Sequence, residues 1–225
     1  MENKSVKITL SKDNVKTEYK EGKEAVSKNI SVKELIGALS CDVVFRTGIM
    51  SPGIRYYSRR GDREFIVVET PPKIRQIRNE RFKDGRVTVP TPPTVFFFIL
   101  RGGRLMSSKC YCIKKPLSKN NQTLYHFPLG NMSRGEICWG GARKQIAKYD
   151  LTLSNINTLV EVFYSSSFNN DLSMQLSIEG RRIVGCESPA AVLRYLEGKK
   201  EFPMKILHKE MTTARGIISS FERSG

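Results

Sequence analysis

Histidine, tryptophan and long apolar runs are scarce in this chain. Its 225 residues include two histidines and one tryptophan. Neither histidine has a nucleophile-elbow serine beside it, so a serine–histidine–aspartate triad is not supported. The longest apolar run, residues 95–100, suits a buried strand and is far too short to span a bilayer. Residues 1–10 are polar and charged, so we expect no secretory signal, no membrane partner and a soluble, cytoplasmic protein.

Acidic residues are also in deficit. Lysine and arginine total 38 against 22 aspartates and glutamates, which gives a formal net charge of +16. The positive charge is spread along the chain and mixes with apolar residues, as in residues 55–60 and 73–78. This pattern is typical of solvated faces. The more specific alternative is that the positive charge binds nucleic acid or an acidic protein partner.

The cysteines are odd in number, and we expect no export, so reduced thiols are predicted rather than a disulfide framework. They are Cys41, Cys110, Cys112, Cys138 and Cys186. Cys110 and Cys112 should point to one face of a strand. A zinc site with Cys138 or His208 is an alternative, but this spacing suits a tetrahedral metal poorly, so we predict no metal and no cofactor. Cys41 and Cys186 are predicted to be core residues.

Helix and strand signals predict a single α+β domain over residues 1–225. A strand is predicted over Val6–Leu10, and Ser31 with Glu34 has the capping-box spacing that predicts a helix over Val32–Ser40. An antiparallel meander should follow. Its strands are predicted within residues 42–70, 95–100 and 105–113, and the prolines of residues 71–72 and 90–93 bracket a predicted turn-rich segment.

Helices are predicted again after residue 150. Apolar residues at helical spacing around Leu159 predict one helix, with Asp150 or Ser154 as its N-cap. Pro189 should begin another, which Gly198 ends. The domain core is predicted over about 31–165 and a C-terminal helical extension over about 166–211. Residues 212–225 are expected to fray.

The segment 124–141 carries the chemistry. It places His126, Pro128, Asn131 and Cys138 among turn formers, and glycines follow the cysteine. A thiol presented just after a turn, with an amide side chain upstream, is a layout that suits acyl transfer.

These motifs and the order of elements resemble the ubiquitin-conjugating-enzyme family. Pro92 and Pro93 before the apolar strand resemble that family's Pro-Pro. His126, Pro128, Asn131 and the Gly-Glu-Ile-Cys of residues 135–138 resemble its His-Pro-Asn signature and active cysteine. The match is closer still to a divergent prokaryotic branch known as PRTRC system protein B. The shared pattern is Leu-Tyr-x-x-Pro-x-x-Asn, here residues 124–131, followed by Gly-x-x-Cys and Gly.

The resemblance implies a fold and a mechanism. The fold would be an antiparallel β-meander flanked by N-terminal and C-terminal helices. Cys138 would carry a ubiquitin-like modifier as a thioester and transfer it to an amine. Asn131 would stabilise the charge that develops on the carbonyl oxygen, and His126 would buttress the loop. The neighbouring cations Arg134 and Arg143 would favour the thiolate that this chemistry needs.

The resemblance also implies partners, and other functions stay open. The implied partners are a ubiquitin-like protein, a ThiF-like activating enzyme and a JAB-type peptidase, in bacteria and often on plasmids or mobile elements. One alternative is a catalytically silent scaffold of the same fold. Another is a basic module with weak nucleic-acid binding. At the residue level, Cys138 could be a small buried hydrophobe and Asn131 a left-handed turn residue.

Overall fold

The chain divides into two compact units, Met1–Thr47 and Gly48–Gly225. The computed structural model describes residues 6–11, 15–21, 24–40, 50–118, 121–169 and 175–223. The strand block predicted at residues 43–45 lies outside these ranges. The sequence predicts one domain for the whole chain, and that both units form one domain stays a prediction.

The first unit is a three-stranded antiparallel sheet followed by a helix. The elements are β1 (Val6–Leu10), β2 (Val15–Glu21), β3 (Glu24–Ile30) and α1 (Val32–Ser40). At the start of α1, the Glu34 N–H donates to Ser31 Oγ (3.1 Å) and the Ser31 N–H donates to the Glu34 carboxylate (2.8 Å). This reciprocal pair confirms the predicted helix and its capping box.

The second unit is built on a larger antiparallel sheet. The strands of this unit are β4 (Ile54–Arg60), β5 (Arg63–Thr70), β6 (Lys73–Arg78), β7 (Arg86–Thr91), β8 (Thr94–Arg101), β9 (Arg104–Cys112), β10 (Thr123–Tyr125), β11 (Met132–Ser133), β12 (Glu136–Ile137) and β13 (Lys209–Thr213), and all but β6 and β7 belong to the larger sheet. Its helices are α2 (Ala142–Ile146), α3 (Asn157–Ser165), α4 (Ile178–Val184), α5 (Pro189–Leu196) and α6 (Ala214–Arg223), with a 3₁₀ turn over Met204–Ile206.

The predicted meander is confirmed as the centre of this sheet. The order of strands is β11-β12-β9-β8-β5-β4, and β10 joins β9 to β13. Gly102 and Gly103 take positive φ between β8 and β9, where the sequence predicts a hairpin turn. The α+β class with antiparallel strands therefore agrees with the prediction.

A hairpin replaces the predicted turn-rich segment between β5 and β8. Strands β6 and β7 form a two-stranded sheet in which Ile77 pairs with Val87 and Arg75 pairs with Val89. Ile77, Val87 and Val89 are buried in the main core. Flanking prolines signal turns, but the alternation of Val87 and Val89 with polar residues is a strand signal, and burial of that face stabilises the hairpin.

Both faces of the main sheet are covered. Phe96 and Phe98 of β8 pack in one cluster with the helix α3, and Phe97 between them packs in the other. The second cluster includes Ala214, Ile217, Ile218 and Phe221 of α6. The prediction that residues 212–225 fray is therefore wrong for residues 214–223. Their apolar side chains recur at helical spacing and find a buried surface on the sheet.

The N-cap predicted for α3 is also wrong. The helix begins at Asn157 after Ile156, and no side-chain hydrogen bond caps it. Asn155 instead holds the preceding turn, because its side chain accepts from the Thr152 N–H at 2.8 Å. At α5 the structure agrees with the predicted start, with Pro189 in the first turn. No helix of the described ranges is both long and apolar enough to cross a membrane.

Candidate active site

Cys138 is exposed and follows β12 directly. Its N–H donates to the carbonyl of Asn131 at 2.9 Å, which closes the base of the β11–β12 hairpin. The hairpin continues the main sheet because Glu136 pairs with Lys109 of β9. The thiol is therefore presented to solvent from the end of a sheet-anchored strand, and the alternative of a buried hydrophobic Cys138 does not hold.

The tip of this hairpin is a tight turn. Arg134 and Gly135 have φ of 50° and 81°, the type I′ pattern that matches the twist of paired strands. A Cβ at Gly135 would collide with the Tyr111 hydroxyl. Glycine is thus required at the second position, while arginine occupies the first against its backbone preference.

Trp139, the residue after Cys138, is held in place by two side-chain contacts. Its indole N–H donates to Ser108 Oγ at 2.8 Å, and its ring meets Phe163 edge-on with centroids 6.2 Å apart. Gly140 and Gly141 then lead into α2. The residue after the cysteine is therefore tied to both β9 and α3, which limits the positions that the thiol can take.

A cleft of about 420 Å³ opens at the thiol. Its walls are polar and small for the most part, and Arg78 supplies a cationic side chain. The lining residues are Arg78, Asn131, Cys138, Trp139, Gly140, Gly141, Ala142, Gln145, Val162, Ser165, Ser166, Ser167 and Asn169. A cleft bounded by glycines and serines can admit an extended peptide segment to the sulfur.

Asn131 lies in the same cleft but is turned into the loop after α3. It is 6% exposed and left-handed, with φ of 57°. Its amide nitrogen donates to the Ser167 carbonyl at 2.9 Å and to Ser166 Oγ at 3.2 Å. Both amide hydrogens are therefore engaged, as expected for the turn role that the sequence left open. An oxyanion role requires one of these bonds to be released.

His126 lies in a different cavity from the thiol cleft. Its Nε2 is 3.0 Å from the Glu210 carboxylate, and its backbone N–H donates to the His208 carbonyl at 2.9 Å. Burial lowers the pKa of His126, Glu210 opposes this, and His208 adds to it. The structure thus brings Cys138 and Asn131 together and places His126 at β13.

The other cysteines separate into two kinds. Cys110 and Cys112 are fully buried in one cluster, as predicted for one face of a strand, and burial raises the pKa of both thiols. Cys186 is exposed, so its prediction as a core residue is wrong: it follows Gly185, the left-handed cap that ends α4. Cys41 lies outside the described ranges. Among the residues that the structure describes, no cluster of three or more His, Cys, Asp or Glu side chains could hold a metal ion.

The model of prokaryotic E2 family D matches residues 51–209. The chain belongs to prokaryotic E2 family D. The matched range includes Cys138, Asn131 and His126. It starts after α1, although the resemblance to conjugating enzymes counts α1 as part of that fold. Membership of an E2-like family implies interaction with ubiquitin-like proteins and activating enzymes in general. Comparisons of this family D chain with curated proteins and with solved structures give no match.

Sequence reasoning missed several residues of the site. Ser166 and Ser167, which hold Asn131, follow α3 in an unremarkable polar stretch. Arg78 lines the cleft because β6 ends beside the segment that follows α3. The Phe168 N–H donates to the Arg78 carbonyl there at 2.8 Å. The one available signal was local: Trp139, the only tryptophan, directly follows the cysteine.

Proposed function

We propose that Cys138 carries a ubiquitin-like modifier as a thioester and transfers it to an amine. The observation that supports this most is an exposed thiol on a polar cleft in a member of an E2-like family. A buried thiol would have excluded the proposal, because the nucleophile must meet a carbonyl carried by another protein.

The chemistry has two balanced steps. The Cys138 thiolate attacks the C-terminal carbonyl of a modifier held as a thioester on an activating enzyme, and the thiolate of that enzyme leaves. An acceptor amine then attacks the Cys138 thioester, the sulfur leaves as thiolate, and the amine loses a proton. In each step negative charge develops on the carbonyl oxygen, where a fixed donor lowers the barrier. Asn131 is our candidate for that donor once its bond to Ser166, the longer of the two, is released.

The test uses Cys138→Ser with a ThiF-like activating enzyme, ATP and the cognate ubiquitin-like protein. The wild type should form an adduct that reductant cleaves, and the serine variant should form either a reductant-resistant oxyester or none. Cys186→Ser is the matched control, since Cys186 is the other exposed thiol in the described part of the chain. An adduct that survives unchanged in Cys138→Ser would refute the proposal.

A catalytically silent scaffold is the second candidate function. The engagement of both Asn131 amide hydrogens favours it, because that amide now stabilises a loop and points no donor at the thiol. The scaffold would bind the ubiquitin-like protein equally well before and after Cys138→Ser, and Cys138 would form no adduct. Conjugation predicts the adduct, so one gel separates the two functions.

The partners belong to the same proposal. The likeness to PRTRC system protein B suggests a JAB-type peptidase as the enzyme that removes or processes the modifier, in a bacterial cytoplasm and on a mobile element. The net charge of +16 supports an acidic protein partner or weak nucleic-acid binding. A steep loss of DNA affinity with salt would support the latter.

A further inference from the structure

Arg78 is the one charged side chain among the described residues that line the thiol cleft. It is the last residue of β6, and it is exposed. No carboxylate in the described ranges lies within ion-pair distance of its guanidinium. The cleft that holds the thiol therefore also contains a cation that no neighbouring carboxylate of the described chain neutralises.

The backbone of Arg78 lies next to the residues that position the thiol. Arg78 forms a parallel β-bridge with Ser167, and the Ser167 carbonyl accepts a hydrogen bond from the Asn131 amide at 2.9 Å. The Asn131 carbonyl in turn accepts the Cys138 N–H at 2.9 Å. A continuous series of contacts therefore links Arg78 to Cys138.

Asn79, the next residue, fixes the end of β6 in this place. It is 1% exposed, and its amide nitrogen donates to the Phe168 carbonyl at 2.6 Å. The Phe168 N–H donates to the Arg78 carbonyl at 2.8 Å. Because these bonds hold the strand end against the segment after α3, the Arg78 side chain starts from a defined position beside the cleft. A donor that is already in place needs little reorganisation when charge develops near it.

The cation stands at a position where it costs stability. In the β6–β7 hairpin Arg78 lies directly opposite Arg86, and like charges at opposed positions of an antiparallel pair are destabilising. Arg86 donates to the Gln76 side chain at 3.3 Å, whereas the Arg78 guanidinium makes no hydrogen bond to any described residue. A charged side chain that opposes the fold locally and has no structural partner is typical of a functional position.

The chemistry at Cys138 needs a donor of this kind. As the acceptor nitrogen bonds to the thioester carbonyl carbon, negative charge develops on the oxygen. The C–S bond then breaks, the charge passes to the sulfur, and the nitrogen loses its proton to solvent. Both amide hydrogens of Asn131 are engaged by the loop, so that residue presents no free donor. A guanidinium carries a full positive charge and several N–H groups, so it can stabilise both the oxygen and the departing sulfur.

We propose that Arg78 is a catalytic residue of the transfer reaction and donates to the carbonyl oxygen of the acyl group on Cys138. This inference rests on the proposed function of Cys138, and it adds a donor that the resemblance to conjugating enzymes does not assign. A modifier tail in the cleft displaces water from the guanidinium and so strengthens its interaction with the oxygen. Asn131 can join as a second donor only after one of its loop bonds is released.

The first test uses the full-length protein without partners. Iodoacetate is anionic and iodoacetamide is neutral, so the ratio of their alkylation rates at Cys138, followed by peptide mass spectrometry, reports positive charge at the sulfur. We expect Arg78→Gln to lower this ratio about threefold. Arg182→Gln, which removes an exposed arginine outside the cleft lining, should leave the ratio unchanged. An unchanged ratio in Arg78→Gln would mean that the guanidinium does not act at the thiol, and would overturn the inference.

The second test times the transfer step. Cys138 is loaded with the cognate ubiquitin-like protein, and discharge of the thioester to hydroxylamine, a small neutral amine, is followed in a single turnover. We expect Arg78→Gln to discharge about a hundredfold more slowly than the wild type, because an oxyanion donor is lost, and Arg182→Gln to discharge normally. Urea unfolding of Arg78→Gln should show no loss of stability, since the substitution relieves the like-charge pair with Arg86.

The outcomes separate this inference from the function on which it rests. A wild type that never forms the thioester would refute the proposed function and this role together. A wild type that loads and discharges less than about tenfold faster than Arg78→Gln would refute the role of Arg78 alone. Slower discharge together with a lowered alkylation ratio and unchanged stability would support the role, because a structural effect of Arg78 would lower the stability as well.

Discussion

The thiol cleft and the cavity that His126 lines lie at opposite ends of one short hairpin. Each end carries a residue other than glycine in the left-handed region: Asn131 at the base, with φ of 57°, and Arg134 at the tip, with φ of 50°. Asn131 is compensated by two hydrogen bonds of its own amide. Arg134 has no such compensation in the described part of the chain. Within the described residues, the left-handed backbone is therefore offset by side-chain hydrogen bonds at one end of the hairpin and not at the other.

The two regions also share one core residue. Phe163 of α3 is fully buried and meets Trp139 beside the thiol cleft and Phe127 beside the cavity, with centroids 6.2 and 5.4 Å apart. Changes at Phe163 should affect both regions, whereas changes at either end of the hairpin should affect only one.

The largest expected effect comes from Phe163→Ala. Removing this ring leaves a cavity among packed aromatic side chains, so we expect the free energy of unfolding to fall by about 4 kcal/mol. Urea denaturation measures the change. Adduct formation on Cys138 should weaken as well. Phe221→Ala, on the other face of the sheet, is the control that should destabilise the unit and leave adduct formation intact. A loss below about 1 kcal/mol for Phe163→Ala would contradict the shared core.

Asn131→Ala should have the next largest effect. It removes the two amide hydrogen bonds and leaves alanine in a left-handed conformation, so we expect a loss of about 3 kcal/mol. Asn131→Gly loses the same bonds without the backbone penalty and should lose about half as much. Urea unfolding of both variants checks the order. If both lose amine transfer while Cys138 is still alkylated at the normal rate, the amide acts in the chemistry as well as in the loop.

The third prediction concerns pH and separates the cavity from the cleft. The folded protein holds the pKa of His126 below its ordinary value of 6.5, so the unfolded chain binds this proton more readily. Stability should therefore fall as the pH drops below that value, and the penalty is complete below the folded pKa. His126→Gln should flatten the dependence of unfolding free energy on pH between about 7 and 5.

His208→Gln is the control for that prediction. His208 opposes protonation of His126, so this variant should raise the pKa of His126 in the folded protein toward its ordinary value and reduce the loss of stability at low pH. Nuclear magnetic resonance of the His126 ring carbons follows its titration directly in the wild type and in His208→Gln. An unchanged profile in His126→Gln would mean that other groups set the acid sensitivity of the protein.

The smallest expected effect has the opposite sign. Arg134→Gly should stabilise the protein by about 0.5 kcal/mol, because relief of the left-handed strain slightly exceeds the extra entropy that glycine adds to the unfolded chain. Thermal or urea unfolding detects a shift of this size in parallel runs. A destabilisation would mean that the arginine side chain supports the hairpin, and the contrast with Asn131 would be lost.

Much of the framework followed from local patterns. The capping box at Ser31 and Glu34, the glycine turn between β8 and β9, and the proline start of α5 each depend on residues a few positions apart. The exposed position of Cys138 after a turn also follows from a local pattern. The prediction from the prolines was wrong at β6 and β7, because strands formed where a turn-rich segment was predicted. Residues 214–223 likewise form a helix because the sheet offers them a face to cover.

The sequence by itself determined the antiparallel meander, the alternation of Phe96, Phe97 and Phe98 between two faces, and the glycine-bounded thiol. Only the tertiary structure decided that His126 contacts Glu210, and that Asn131 bonds to Ser166 and Ser167. The physical reason is the range of the interactions. Backbone propensity and side-chain periodicity act over a few residues, whereas these contacts join segments that meet only after the sheet and helices have packed.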